Sequence, residues 1–143
     1  MKEFSFGIIP YLFSDNGVSI MVSKSSASMD TFDFIKGKIE AGETEKECCK
    51  REVKEEIGID IQIDDLETLV IQKNKKKNIG LYFINWDKYK TITPILCERE
   101  IYSLNWFNVS NIPPISKNQR LLITDINLKF NKLNLTNKTK DNI

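Results

Sequence analysis

The sequence predicts a single α/β domain in which helices flank a mixed β-sheet. Several runs rich in β-branched and aromatic residues are typical of strands. One longer segment without Pro or Gly carries the start and stop signals of a helix. The length of 143 residues suffices for one domain that buries a core without disulfides or structural metals.

The N-terminal part of the chain contains three predicted strands. Residues 4–13 and 18–23 are joined by Asp-Asn-Gly at 15–17, which favours a hairpin turn. Residues 31–36 alternate between polar and apolar side chains and lead into Gly37. We therefore expect this third strand to end in a glycine turn.

The next segment, residues 45–57, predicts a helix with both ends marked. Thr44 and Glu47 have the spacing of a capping box, in which each side chain accepts a hydrogen bond from the other residue's backbone amide. Gly58 is the residue type that commonly adopts the left-handed conformation just past a helix end. The apolar stripe of Cys49, Val53 and Ile57 would anchor this helix on the core.

The remaining elements follow the helix. Further strands are predicted at 66–72, 79–86 and 100–108, Pro113-Pro114 ends the last one, and 117–130 is a predicted closing helix. The domain accordingly covers residues 1–130. The tail at 131–143, rich in Asn, Lys and Thr, is expected to be disordered.

Three carboxylates converge on the predicted helix. Glu52, Glu55 and Glu56 lie three and four residues apart, so they share one face. Their mutual repulsion favours a bound cation, and carboxylate oxygens suit Mg²⁺, or Mn²⁺ as a substitute, better than zinc. The alternative is a solvated helix face on which neighbouring cations neutralise the glutamates.

Composition excludes several kinds of chemistry. The chain has no histidine, which removes Ser-His-Asp catalysis and histidine-based zinc hydrolysis. Its three cysteines, two of them adjacent, suit neither a disulfide framework nor a zinc site. No apolar run is long enough to span a membrane, and the N-terminus lacks the pattern of a signal peptide. We expect a cytoplasmic protein, of unknown oligomeric state.

Residues 37–59 match a nine-position signature, G-x5-E-x7-R-E-U-x-E-E-x-G-U, where U is bulky and aliphatic. The matching residues are Gly37, Glu43, Arg51, Glu52, Val53, Glu55, Glu56, Gly58 and Ile59. The chain therefore resembles the Nudix hydrolases. The resemblance implies an α/β/α sandwich over residues 4–130. It also implies metal-dependent hydrolysis of a phosphoanhydride bond in a nucleoside diphosphate linked to another group.

The resemblance also implies roles for individual residues. Glu52 and Glu56 would bind metal, with Glu55 as a third ligand and the backbone carbonyl of Lys36 as a further one. Glu43 and Arg51 would pair and hold the loop against the helix. The general base would be a motif glutamate, such as Glu55 or Glu43, or come from a later segment. There, Glu98 and Glu100 are the candidates, and the motif match favours Glu100.

The sequence leaves the substrate open. The stretches at 32–38 and 99–113 resemble those of mRNA-decapping Nudix domains. The strand at 32–38 also resembles that of diadenosine tetraphosphate hydrolases and bacterial RNA 5′-pyrophosphohydrolases, although Ile35 replaces the usual proline. A dinucleoside polyphosphate or related nucleotide is the first expectation, with an RNA 5′ end and a non-catalytic nucleotide sensor as alternatives. Lys36 and Lys38 are candidate substrate contacts. Tyr82 could stack on a base or belong to the core, and lysines 73 and 75–77 could bind phosphates or form a solvated hairpin tip.

Overall fold

The computed structural model describes residues 2–25, 27 and 30–141, and it shows a six-stranded mixed sheet between two helices. The elements in chain order are β1 (Glu3–Ser14), β2 (Gly17–Lys24), β3 (Ile35–Lys38), α1 (Glu45–Ile57), β4 (Leu66–Gln72), β5 (Lys77–Asn85), β6 (Ser103–Asn108) and α2 (Leu122–Asp141). Short 3-10 turns precede β4 and follow β6. The predicted α/β class is confirmed.

Strand β1 organises the sheet. The order is β4-β5-β1-β2-β6, and β3 also pairs with β1. One edge of β1 runs parallel to β5, while the other edge is shared by β3 at its N-terminal half and β2 at its C-terminal half. This arrangement fixes β3, and with it the loop leading into α1, beside the start of β1.

Each face of the sheet carries its own core, because successive strand residues point to opposite sides. The core on one face joins sheet residues to α1 and includes Phe6, Ile8, Val53 and Ile57. The core on the other face joins the sheet to α2 and includes Ile9, Phe83, Ile126 and Phe130. The result is the α/β/α sandwich that the sequence predicted.

Two predicted strands begin later than expected. The strand predicted at 31–36 is β3, Ile35–Lys38, preceded by isolated bridges at Phe32 and Asp33. The strand predicted to start at Glu100 starts at Ser103. Glu100 lies in a turn instead, because its amide and the next one both donate to the carbonyl of Cys97 at 2.9 Å.

The closing helix also differs from its prediction. It starts at Leu122 rather than residue 117, because the preceding residues form turns. In these turns the buried Gln119 side chain accepts a hydrogen bond from the Phe34 amide and donates one to Asp33, just before β3. It continues over residues 131–141, which were expected to be disordered, and no Pro or Gly interrupts it there. No helix in the described part of the chain has both the length and the apolar character to cross a bilayer.

Candidate active site

Helix α1 has the bounds that its sequence predicted, and both caps are present. The Thr44 amide donates to Glu47 Oε1 at 3.0 Å, and the Glu47 amide donates to Thr44 Oγ1 at 3.1 Å. Gly58 adopts φ 69°, and its amide donates to the carbonyl of Lys54 at 3.0 Å. The glutamates of α1 thus project from a helix with defined ends.

Gly37 lets β3 and α1 approach each other closely. A β-carbon built on Gly37 would lie 1.9 Å from Cδ of Glu52 and 2.2 Å from each of its carboxylate oxygens. The space that a side chain at 37 would need is therefore filled by the Glu52 carboxylate. Glycine is required here by this close packing and not by the backbone conformation, because its φ is not in the left-handed region.

Arg51 connects the loop, the helix and β3. Its guanidinium donates to both carboxylate oxygens of Glu43 at 2.6 and 3.0 Å, to Glu52 at 2.8 Å and to the Lys38 carbonyl at 3.0 Å. It also lies 3.3 Å from the exposed carboxylate of Glu55. The hydrogen bond with Glu43 raises the pKa of Arg51 and lowers that of Glu43. The predicted Glu43–Arg51 pair is present.

Glu56 is a buried carboxylate that lacks a full set of partners. Its side chain is 9% exposed, and its Oε2 atom has no hydrogen-bond partner. Burial, together with the charges of Glu52 and Glu100, raises the pKa of Glu56 to about 8. Burial also raises the pKa of Glu52. The raised pKa values show that the charged forms of these crowded, buried carboxylates are costly in the protein alone.

Lys36 supplies a cation at this site. The charges of Glu56 and Glu52 act on Lys36, and Lys36 in turn opposes the raised pKa of Glu56. Burial, followed by repulsion from Lys77, lowers the pKa of Lys36 itself. The lysine lies on β3 opposite Gly7 of β1. Its neighbour Ile35 belongs to the core under α1, so the Lys36 side chain leaves β3 on the opposite face, and only its charge acts on the glutamates.

The turn that contains Glu100 rests on the C-terminal end of α1. The amides of Cys97 and Ile95 donate to the carbonyls of Glu56 and Ile57 at 2.8 and 2.9 Å, which satisfies two helix-end carbonyls. Glu100 is among the charges that raise the pKa of Glu52 and Glu56, whereas Glu98 is not among them. The structure thus brings Glu100 to the glutamates from a turn rather than from the predicted strand.

The donor set fits a hard divalent cation. Glu52, Glu56 and Glu100 offer carboxylate oxygens. Oε2 of Glu56 accepts no hydrogen bond from the protein, so it is available to coordinate a cation. Among the described residues, no three acidic or cysteine side chains are already arranged around one point. Two of the predicted ligands, Glu52 and Glu55, instead form ion pairs with Arg51 at 2.8 and 3.3 Å.

Two predicted substrate contacts lie elsewhere. Tyr82 is 7% exposed, belongs to the core under α1, and donates its hydroxyl to Glu45 at 3.0 Å. Glu45 is two helical turns before Glu52, and of the two alternatives for Tyr82 the structure favours a core position over stacking on a base. The Lys38 ammonium binds Glu3 at 3.3 Å, and the contact of Lys38 with the site is through its carbonyl.

The sequence patterns did not indicate that Ser5 is a buried polar residue. Its side chain is fully buried on β1 opposite Lys38, and its hydroxyl has no hydrogen-bond partner among the described residues. The pattern that could have indicated it is a polar residue within an apolar stretch of strand.

The two adjacent cysteines are buried, and burial raises the pKa of Cys48 to about 11, so it is not a thiolate nucleophile.

Comparison with protein-family models matches residues 1–126 to the NUDIX domain. The chain belongs to the Nudix hydrolase family. This Nudix chain is 33% identical over 104 residues, 71% of its length, to two Saccharomyces cerevisiae proteins. These are mRNA-decapping enzyme subunit 2 and m7GpppN-mRNA hydrolase. The match spans only 10% of each of these relatives.

Solved structures share the fold. A MutT NUDIX hydrolase from Burkholderia pseudomallei aligns with a TM-score of 0.66 and 18% identity, covering 87% of this chain and 97% of that one. An Ap4A hydrolase binary complex from C. elegans aligns with a TM-score of 0.57 and 20% identity, covering 76% and 81%. Both likenesses confirm the predicted Nudix fold.

Proposed function

We propose that this Nudix domain is a pyrophosphohydrolase that cleaves a phosphoanhydride bond in a substrate containing a nucleoside diphosphate. The observation that carries the proposal is Glu56, a buried carboxylate without a full set of partners. Glu52 and Glu100 beside it add like charge, and Lys36 is the opposing cation. Such a site is favourable when a divalent cation neutralises it.

We assign the cation to Glu52 and Glu56, with Glu55 and the Lys36 carbonyl as further ligands. Mg²⁺ fits these oxygen donors, and Mn²⁺ is the expected substitute. When bound, the cation supplies charge neutralisation at the phosphate oxygens and lowers the pKa of water. Arg51 is a positioning residue, because it holds Glu43 and Glu52 together.

Glu100 is the proposed general base. It comes from a segment separate from α1, so it can accept a proton from the attacking water while the α1 glutamates hold the cation. Its position beside Glu56 supports this assignment over Glu98. Glu55 and Glu43 are the alternatives within the motif.

A dinucleoside polyphosphate or related nucleotide is one candidate substrate. The Lys36 ammonium, partly buried beside the glutamates, would bind a phosphate oxygen. Lys38 lies two residues further along β3 and is exposed, so release from Glu3 would allow a second phosphate contact.

An RNA 5′ end is the second candidate, favoured by the 33% identity to proteins named as mRNA-decapping enzymes. A non-catalytic nucleotide sensor is a third hypothesis. The presence of all three α1 glutamates counts against it, because a sensor would not need a complete set of metal ligands.

A substrate panel tests the proposal. Diadenosine tetraphosphate, nucleoside triphosphates, ADP-ribose, and triphosphorylated or capped RNA oligomers would be incubated with the protein and Mg²⁺. We expect hydrolysis of at least one phosphoanhydride, and a loss of about 1000-fold or more in Glu56→Gln. Asp64→Asn, an exposed carboxylate outside the site, is the matched control. Activity that survives a chelator, or a fully active Glu56→Gln, would contradict the proposal.

A further inference from the structure

A groove lined by cations lies between the β4–β5 turn and the segment that precedes α2. Its volume is about 710 Å³. The cationic residues that line it, here called the basic groove, are Lys73, Lys75, Lys76, Lys77, Lys117 and Arg120. The sequence alone left the hairpin lysines as either phosphate contacts or a solvated tip. The fold brings Lys117 and Arg120 beside these hairpin lysines.

The basic groove is not neutralised by the protein. Within the described part of the chain, none of its six cations forms an ion pair with a carboxylate. Lysines elsewhere, such as Lys50, Lys88 and Lys90, do have acidic partners. The whole chain carries a net charge of only +1, so the excess is local. Unpaired local charge of this kind attracts an anionic ligand.

Side-chain amide groups hold the two walls of the groove together. Gln72, which is 4% exposed, donates to the Lys117 carbonyl at 3.1 Å and accepts from the Leu121 amide at 2.8 Å. Asn74 donates to the Asn118 carbonyl at 3.0 Å. These hydrogen bonds fix the two segments that carry the cations, so fewer backbone groups must become ordered when a ligand binds.

The groove leads towards Lys36 along the face of the sheet that packs against α2. Lys77 pairs with Glu3 of β1, and Lys36 pairs with Gly7 of the same strand, so both lysines stand on this face, opposite α1. Lys77 is close enough for its charge to act on Lys36. The buried, partnerless hydroxyl of Ser5 lies on that face between the two pairs.

We propose that the basic groove binds the phosphate backbone of a single-stranded RNA whose 5′ end reaches the glutamates. This inference rests on the proposed function and narrows its substrate class. A polyphosphate that ends at Lys36 would leave most of the groove's cations unpaired, whereas an RNA strand places successive phosphates along it. The concave shape also fits a chain better than a flat membrane surface.

Binding can be measured without turnover. Single-stranded RNA, fluorescently labelled at its 3′ end and triphosphorylated at its 5′ end, would be titrated with the Glu56→Gln protein in chelator. The triple variant K73A/K75A/K76A, made in this background, should bind about 10- to 100-fold more weakly near 0.1 M salt. The dependence of log affinity on log salt should become shallower by about 2, since each cation contributes roughly 0.7 for single strands.

A charge-matched control distinguishes the loss of the groove from a general loss of positive charge. K54A/K88A/K90A removes the same charge outside the groove and should retain the parent affinity, as should K73R/K75R/K76R. Equal weakening in the groove and control triples would overturn the proposal. So would preferential binding to vesicles containing anionic phospholipid, with no binding to RNA.

Turnover distinguishes this proposal from the proposed function. With active protein, the ratio of kcat/KM for RNA to that for diadenosine tetraphosphate should fall at least tenfold in the groove triple. An unchanged ratio would overturn the groove assignment while leaving hydrolysis intact. Absence of any hydrolysis by the wild-type chain would instead contradict the proposed function, whatever the RNA-binding result.

Discussion

Replacing Gly37 by alanine should disable the site without unfolding the protein. The new β-carbon would lie 1.9 Å from Cδ of Glu52, whereas ordinary contact begins at 3.4 Å. The backbone of Gly37 is not left-handed, so alanine adds no conformational strain. The Glu52 carboxyl, at the end of a flexible side chain, is the group that must move.

The required displacement sets the size of the effect. Glu52 Cδ must move by about 1.5 Å, which separates a metal ligand from Glu56 and disturbs its 2.8 Å bond to Arg51. A misplacement on the order of 1 Å can cost about 100-fold in rate. We therefore expect kcat/KM to fall by roughly 100-fold or more, with the midpoint of thermal unfolding nearly unchanged.

Gly42→Ala provides the matched comparison. A β-carbon at Gly42 meets nothing within 4 Å, but φ is +86°, so alanine is strained there. We expect a stability loss of about 1–2 kcal/mol and activity within a few-fold of wild type. Both variants would be assayed for hydrolysis, Mg²⁺ dependence and urea unfolding. Full activity in Gly37→Ala would refute the placement of Glu52 at the metal.

Three further predictions concern the carboxylates and their partners. Arg51→Ala should lower kcat about 10- to 100-fold, less than Glu56→Gln does; an equal or larger loss would give Arg51 a more direct role. Glu100→Gln should lower kcat by about 100-fold or more with little change in KM, and a greater effect of Glu98→Gln would reverse that assignment. In chelator, the folded protein binds an extra proton at Glu56 between pH 4.5 and about 8. The free energy of unfolding should therefore fall as pH rises through that range, by on the order of 2–4 kcal/mol. Urea titrations at pH 5 and 8 should show a smaller fall in Glu56→Gln, and an equal fall would place the titration elsewhere.

Elements defined by short-range contacts were predicted well. The bounds of α1 follow from Thr44, Glu47 and Gly58, whose contacts span at most four residues. The Glu43–Arg51 pair also joins residues within one loop and helix. Predictions failed where distant segments decide the outcome. Glu100 lies in a turn because its neighbours bond to the end of α1, and that packing has no local sequence signal.

The amino-acid order alone specified the family signature, the helix that presents the glutamates, and the chemistry that a histidine-free chain excludes. Packing between segments far apart in the chain determined the rest. It placed Glu52 against Gly37, and it buried Tyr82 against α1 beside Glu45, two helical turns before Glu52. Through Gln72 it joined two basic segments into one groove. Such contacts depend on strand register and helix docking, which arise only when the whole sheet forms.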